Sequence, residues 1–91
     1  MDMAALFKKR CSVYGVSAEF LADLLREQDG RCAICMKPFV KTPRGKPVVD
    51  HDHKTGKVRG LLCDHCNAGL GLFKDNARLL LAAVHYLAGS E

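Results

Sequence analysis

Two CxxC pairs, Cys32/Cys35 and Cys63/Cys66, bracket the run Asp50-His51-Asp52-His53, and Asn67 directly follows the last cysteine. Paired thiolates are ligands for a tetrahedral metal. Carboxylate, imidazole and carboxamide groups instead suit a hard cation and proton transfer at a water. Holding a small fold together requires the first set and not the second. The spacing therefore predicts two sites, a closed structural metal centre and an open catalytic one inside the segment that the first clamps.

A CxxC turn places two thiolates on one side of a metal, so two such turns complete a four-sulfur sphere. The gap between the pairs is longer than in a simple zinc ribbon and is sized for a loop plus a hairpin. Cys32, Cys35, Cys63 and Cys66 are read as structural zinc ligands, and the same cage would also suit a redox-active iron. His65 lies between two of the cysteines and could ligate only by displacing one. Cys11 fits neither pair and is expected to be a small buried hydrophobe.

In the second cluster, Asp50 and His51 are adjacent near the end of a strand, so their side chains face opposite ways. That favours a division of labour, in which Asp50 holds a hard cation and His51 works on a nearby water. Asn67, fixed by the cysteine knuckle, can complete a Mg2+ shell together with waters and a phosphate oxygen. His53 returns to the face of His51 if the strand continues, where it could orient the phosphate or the attacking water. A polar surface loop, or a second zinc held by His51, His53 and Asp50 or Asp52, remains open on these residues alone.

The elements that would carry these groups are short. Residues 1–14 have no clear pattern. Ser17 reads as an N-cap with Glu19 in the first turn, and Phe20, Leu21, Leu24 and Leu25 share one helical face that Gly30 terminates. Residues 47–51 and 57–62 read as two strands joined by Lys54-Thr55-Gly56 into an antiparallel hairpin. Cys63 to about Phe73 reads as a turn entering a helix. Asp75 or Asn76 can cap a last helix, whose apolar face of Leu79, Leu80, Ala83, Val84 and Leu87 is expected to serve the core, with Gly89 closing it. His85 and Tyr86 near its end are read as packing or helix-dipole residues.

Ninety-one residues support one domain with a thin core, the size at which a metal staple is usually needed. No signal peptide or bilayer-length apolar run is evident, so a membrane role is not expected, and cytosolic CxxC pairs favour metal over disulfides. The formal charge is +4; four thiolates with one divalent zinc subtract two charges, giving +2. The basic residues cluster at Lys8, Lys9 and Arg10 and again around the hairpin, where Lys54, Lys57 and Arg59 are placed to hold a sugar–phosphate backbone without reading sequence.

The string Val49-Asp50-His51-Asp52-His53, then residues 55–63 (TGKVRGLLC) and residues 66–71 (CNAGLG), closely resembles the recombination endonuclease VII family, phage-type nucleases of the HNH or His-Me finger group. The likeness extends upstream through residues 14–17 and 30–35 and downstream to Tyr86-Leu87. It implies a small α+β, zinc-stabilised fold: a ββα-metal, treble-clef-like core with flanking N- and C-terminal helices. The expected layout is a single nuclease domain over residues 1–91, with an arm and helix over 1–29, the zinc-strapped core over 30–73 and the last helix over 75–88.

By motif position, the resemblance implies that Asp50 and Asn67 bind a catalytic Mg2+ or Mn2+, that His51 is the general base, and that His53 is a further active-site histidine. It implies a DNA endonuclease acting in the cytoplasm of a bacterial host cell, phage-encoded, either as a homodimer or as an auxiliary to a larger DNA-processing machine. The family includes a dimeric enzyme that resolves branched DNA through long helices and an added C-terminal region, parts for which these residues leave no room. A non-catalytic four-cysteine zinc finger that binds nucleic acid and a rubredoxin-like electron carrier are the rival readings.

Overall fold

The computed structural model describes residues 15–89. The arm of residues 1–14, including Lys8, Lys9, Arg10 and Cys11, lies outside the described residues. The elements run α1 (Ala18–Glu27), β1 (Val48–His51), β2 (Val58–Leu62), α2 (Asp64–Leu72) and α3 (Ala77–Gly89).

Helix α1 starts as its sequence dictates, with the Ser17 hydroxyl accepting the Phe20 N–H at 3.0 Å. It ends earlier than Gly30 would suggest. Gln28 is the C-cap, and Asp29 takes a left-handed φ of 56°. The N–H groups of Asp29 and Gly30 then return to Arg26 O and Leu25 O at 2.9 Å each, a Schellman ending with Asp29 rather than glycine in its left-handed position. Leu21 is fully buried from this helix. It joins Cys32, Phe39, Val49, Leu61 and Leu62 in the core.

β1 and β2 pair antiparallel with Val48 opposite Leu62, Val49 opposite Leu61 and Asp50 opposite Gly60. The next pair is His51 with Val58, so the register shifts there and Arg59 is the extra, bulged residue. Asp52 ends β1. Its carboxylate Oδ1 accepts from the Lys54 and Thr55 N–H groups at 2.7 and 3.1 Å, and Gly56 supplies the positive φ of 76° that the turn back requires.

The free edge of β2 is closed by a side chain. The Gln28 carboxamide donates to Leu61 O at 2.8 Å and accepts from Leu61 N–H at 2.9 Å, imitating a strand. Gly60 makes this approach easy, since a Cβ there would sit 3.1 Å from Gln28 Oε1. Leu61 O also accepts from Ala33 N–H at 3.1 Å, which ties the first cysteine knuckle to β2. Helix α1 packs on β2, and α2 packs on β1.

Helix α3 departs from expectation. Its N-cap is Asn76, whose Oδ1 accepts from Arg78 and Leu79 N–H groups at 2.9 and 3.1 Å, while Asp75 is used elsewhere. None of its residues is buried among the described residues. Leu79, Val84 and Leu87 stay exposed, with Leu80 and Ala83 half-covered. An apolar period marks a face that wants cover, and the described core does not supply it.

Candidate active site and metal centre

The four cysteines converge from the two knuckles. Their sulfurs all lie within 4.8 Å of one another, and Cys35 and Cys63 Sγ stand 3.7 Å apart. Metal–sulfur bonds of about 2.3 Å at tetrahedral corners put sulfurs about 3.8 Å apart, so the donor set fits a metal ion. Backbone geometry aims the sulfurs. Met36 adopts φ 66° to close the first knuckle. Cys63 caps α2, its Sγ accepting Cys66 N–H at 3.4 Å.

Electrostatics agree with that fit. Burial acts to raise the Cys32 thiol, but hydrogen bonds from the N–H groups of Cys35, Cys63 and Ile34 and from the Cys35 side chain outweigh it and lower the pKa to about 6. Cys66 is pushed up to about 12 by burial and by the neighbouring sulfurs. Four thiolates gathered this closely need a cation to neutralise them.

Among the described residues, no second group of three or more His, Cys, Asp or Glu side chains converges in this way. The alternative of a second zinc on His51, His53 and an aspartate therefore has no gathered donor set. Asp52 in particular is occupied by the turn, and the Lys54 and Thr55 N–H groups hold its carboxyl below the usual range.

The catalytic candidates sit beside the cysteine clamp. Asp50 is a buried charge at 8% exposure, next to His51 at the end of β1. His53 lies beyond the strand, in the turn, so the condition of a continuing strand is not met. The turn nevertheless returns its ring to 5.1 Å from that of His51. Asn67 is half-buried in the first turn of α2, its N–H bonded to Cys63 O at 3.0 Å, on the helix that packs against β1. The cysteine knuckle thus sets the helix that carries Asn67 against the strand that carries Asp50 and His51.

Arg59 differs most from its expected place. Rather than standing free for a DNA backbone, its guanidinium grips Asp50 with two bonds, Nε–Oδ2 at 2.7 Å and Nη2–Oδ1 at 3.0 Å. It also reaches Asp75 through Nη1–Oδ2 at 3.2 Å and Nη2–Oδ1 at 2.8 Å. Hydrogen bonds to Asp50 and then Asp75 raise the Arg59 pKa further, and Arg59 holds the Asp75 carboxyl below its usual range. Sequence reasoning missed Asp75. The hairpin register could have placed Arg59 beside Asp50, but nothing local relates Asp75 to either. Lys54 lines an open cleft with Lys74 and Arg78, two further cations the sequence did not single out.

The family model for recombination endonuclease VII matches residues 8–89. The chain belongs to the recombination endonuclease VII family. Two Gene 59 proteins, from Mycobacterium phages D29 and L5, are 46% and 42% identical over 77 residues, each alignment covering 84% of this chain and 46% of the relative. The chain thus spans about half the length of the curated relatives it matches. Among solved structures, the beta-beta-alpha-Me type II restriction endonuclease Hpy99I is similar at a TM-score of 0.61 and 36% identity, over 76% of this chain and 42% of that one. The small α+β fold, with the β1–β2 hairpin followed by α2, is therefore the ββα-metal nuclease fold, and its four cysteines are positioned to bind a metal. None of the helices in the described residues is long and apolar enough to cross a membrane.

Proposed function

We propose that this endonuclease VII family member is an HNH-type DNA endonuclease that hydrolyses phosphodiester bonds with a divalent cation. The observation that carries the reading is the pairing of a buried Asp50 with the adjacent His51 at the end of β1, packed against the helix that the cysteine knuckle starts and that carries Asn67. The four-cysteine cluster would hold zinc and act structurally, since its four sulfurs gather within 4.8 Å of one another.

Asp50 and Asn67 are the oxygen donors that would hold Mg2+ or Mn2+. Bound there, the cation supplies charge neutralisation at the scissile phosphate and the departing 3′ oxygen. His51, as the neutral imidazole, takes a proton from the water aligned behind phosphorus. His53, with its ring 5.1 Å from that of His51, is placed to orient that water or the phosphate. The products carry 5′-phosphate and 3′-hydroxyl ends. Lys54 and Lys57 on the hairpin, with Lys74 and Arg78 across the cleft from Lys54, hold the backbone of DNA through its phosphates.

The direct test is supercoiled plasmid incubated with zinc-loaded protein, with and without Mg2+. Nicked or linear product only with Mg2+ is expected. Binding without cleavage at any Mg2+ or Mn2+ concentration would favour the zinc-finger binding module instead.

A further inference from the structure

A buried carboxylate needs a counter-charge, because removing it from water carries a cost that only a close partner offsets. Asp50 is 8% exposed, and Arg59 supplies that charge through both carboxylate oxygens. A divalent cation on the same oxygens would stand within a few ångströms of the guanidinium, and the two would repel. Arg59 and a cation therefore compete for Asp50.

Asp75 gives the displaced guanidinium somewhere to go. Nη2 of Arg59 already touches both carboxylates, Asp50 Oδ1 at 3.0 Å and Asp75 Oδ1 at 2.8 Å, so a small side-chain shift transfers it from one to the other. Asp75 is a fixed acceptor. Lys74 and Asp75 take successive left-handed φ values of 58° and 54°, anchored by Lys74 N–H to Gly71 O at 2.9 Å and Asp75 N–H to Leu70 O at 2.8 Å. Two consecutive non-glycine residues in that region are uncommon and are sustained only where the surroundings impose them.

We infer that Arg59 is a resident counter-ion of the cation site, closed on Asp50 when no divalent cation is bound and drawn onto Asp75 when one enters, so that the Arg59–Asp75 pair sets the protein's affinity for divalent cations. The inference rests on the reading of Asp50 as a cation ligand. Arg59 is in this view a positioning residue, acting on the cation through Asp50.

The two partners have opposite signs, which makes the idea testable without any cleavage assay. Arg59→Gln removes the competitor, and the affinity penalty for a site competent only part of the time disappears. Asp75→Asn removes the second seat and leaves Arg59 on Asp50. The experiment is Mn2+ titration of zinc-loaded protein, followed by the electron paramagnetic resonance of free Mn2+, with zinc content and circular dichroism confirming the fold. Arg59→Gln should tighten Mn2+ by roughly ten-fold and Asp75→Asn should weaken it by a similar factor. If Arg59→Gln does not fold, Arg59→Lys, which keeps the charge and loses the two-pronged grip, should tighten Mn2+ by a smaller factor, and Asp75→Asn is read as before. Unchanged or weaker Mn2+ binding on loss of the Arg59 grip, or tighter binding in Asp75→Asn, overturns the inference. Asp50→Asn is measured alongside. If it binds Mn2+ as the parent does, the assignment of Asp50 as a ligand has failed, a result distinct from failure of the counter-ion idea.

Discussion

Replacing Gln28 with Ala removes the side chain that closes the edge of β2. Three bonds go with it, to Leu61 O, from Leu61 N–H and to Arg31 O. The losses are unequal. Leu61 O keeps the Ala33 N–H at 3.1 Å, and Arg31 lies on the exposed side where water can replace the amide. Leu61 N–H has no such substitute, because Leu61 is fully buried. An orphaned buried donor costs about 1–3 kcal/mol, and a domain of this size loses about 4–8 °C of Tm per kcal/mol. At the middle of that range, Gln28→Ala should melt roughly 8–16 °C below the parent in circular dichroism at matched zinc content. Gln28→Glu sharpens the test. An ionised carboxylate still accepts from Leu61 N–H but cannot donate to Leu61 O, so its deficit should shrink at pH below the carboxyl pKa, where protonation restores a donor. A Tm within about 2 °C of the parent for Gln28→Ala would refute the reasoning that this amide acts as a missing strand.

Chelation of the metal at the four cysteines should abolish cooperative unfolding, and metal analysis should find one zinc per chain, because binding free energy is folding free energy in so small a fold. Asn67→Asp should keep its zinc and its fold while shifting the Mg2+ or Mn2+ dependence of cleavage; a zinc-free or unfolded Asn67→Asp would make the residue structural. Asp75 has a depressed folded pKa, so its ion pair contributes stability above the ordinary carboxyl pKa and loses it as pH falls through the lower folded value. Asp75→Asn should therefore flatten the acid limb of the stability profile below about pH 4, and an unchanged limb would contradict the pairing with Arg59. Cleavage of plain duplex should fall steeply from low to moderate salt and scatter across the plasmid, since the basic side chains reach phosphates; sequenced product ends confined to one site would contradict this.

Features written in local sequence were legible. Ser17 caps α1, the knuckles bring Cys32, Cys35, Cys63 and Cys66 together, and Lys54-Thr55-Gly56 turns a hairpin with Asp50 and His51 at its first strand's end. The cap and the turn depend on residues a few positions apart, where spacing and turn chemistry decide the geometry. Cys35 and Cys63 meet across 28 residues, which was legible because two CxxC pairs together make up one tetrahedral ligand set. Other features that depend on distant partners were not. Gln28 closes β2 from 33 residues away, and Asp75 meets Arg59 from 16 residues away, neither marked by any period. Whether the strand runs on to His53 is left open by the sequence, and the Asp52 side chain decides it by taking the next N–H groups for itself. The apolar stripe of α3 reads as core in the sequence because a helical period reports that a face is apolar and not what covers it.

The central claim is that His51 performs chemistry beside a cation site that the cysteine centre holds in place. Its most direct test compares parent and His51→Ala protein, matched for zinc content and for DNA affinity by fluorescence anisotropy, in Mg2+-dependent plasmid cleavage. Loss of a general base predicts cleavage slower by roughly 10²–10⁴-fold with zinc and DNA binding unchanged. Cleavage by His51→Ala at the parent's rate would contradict the account.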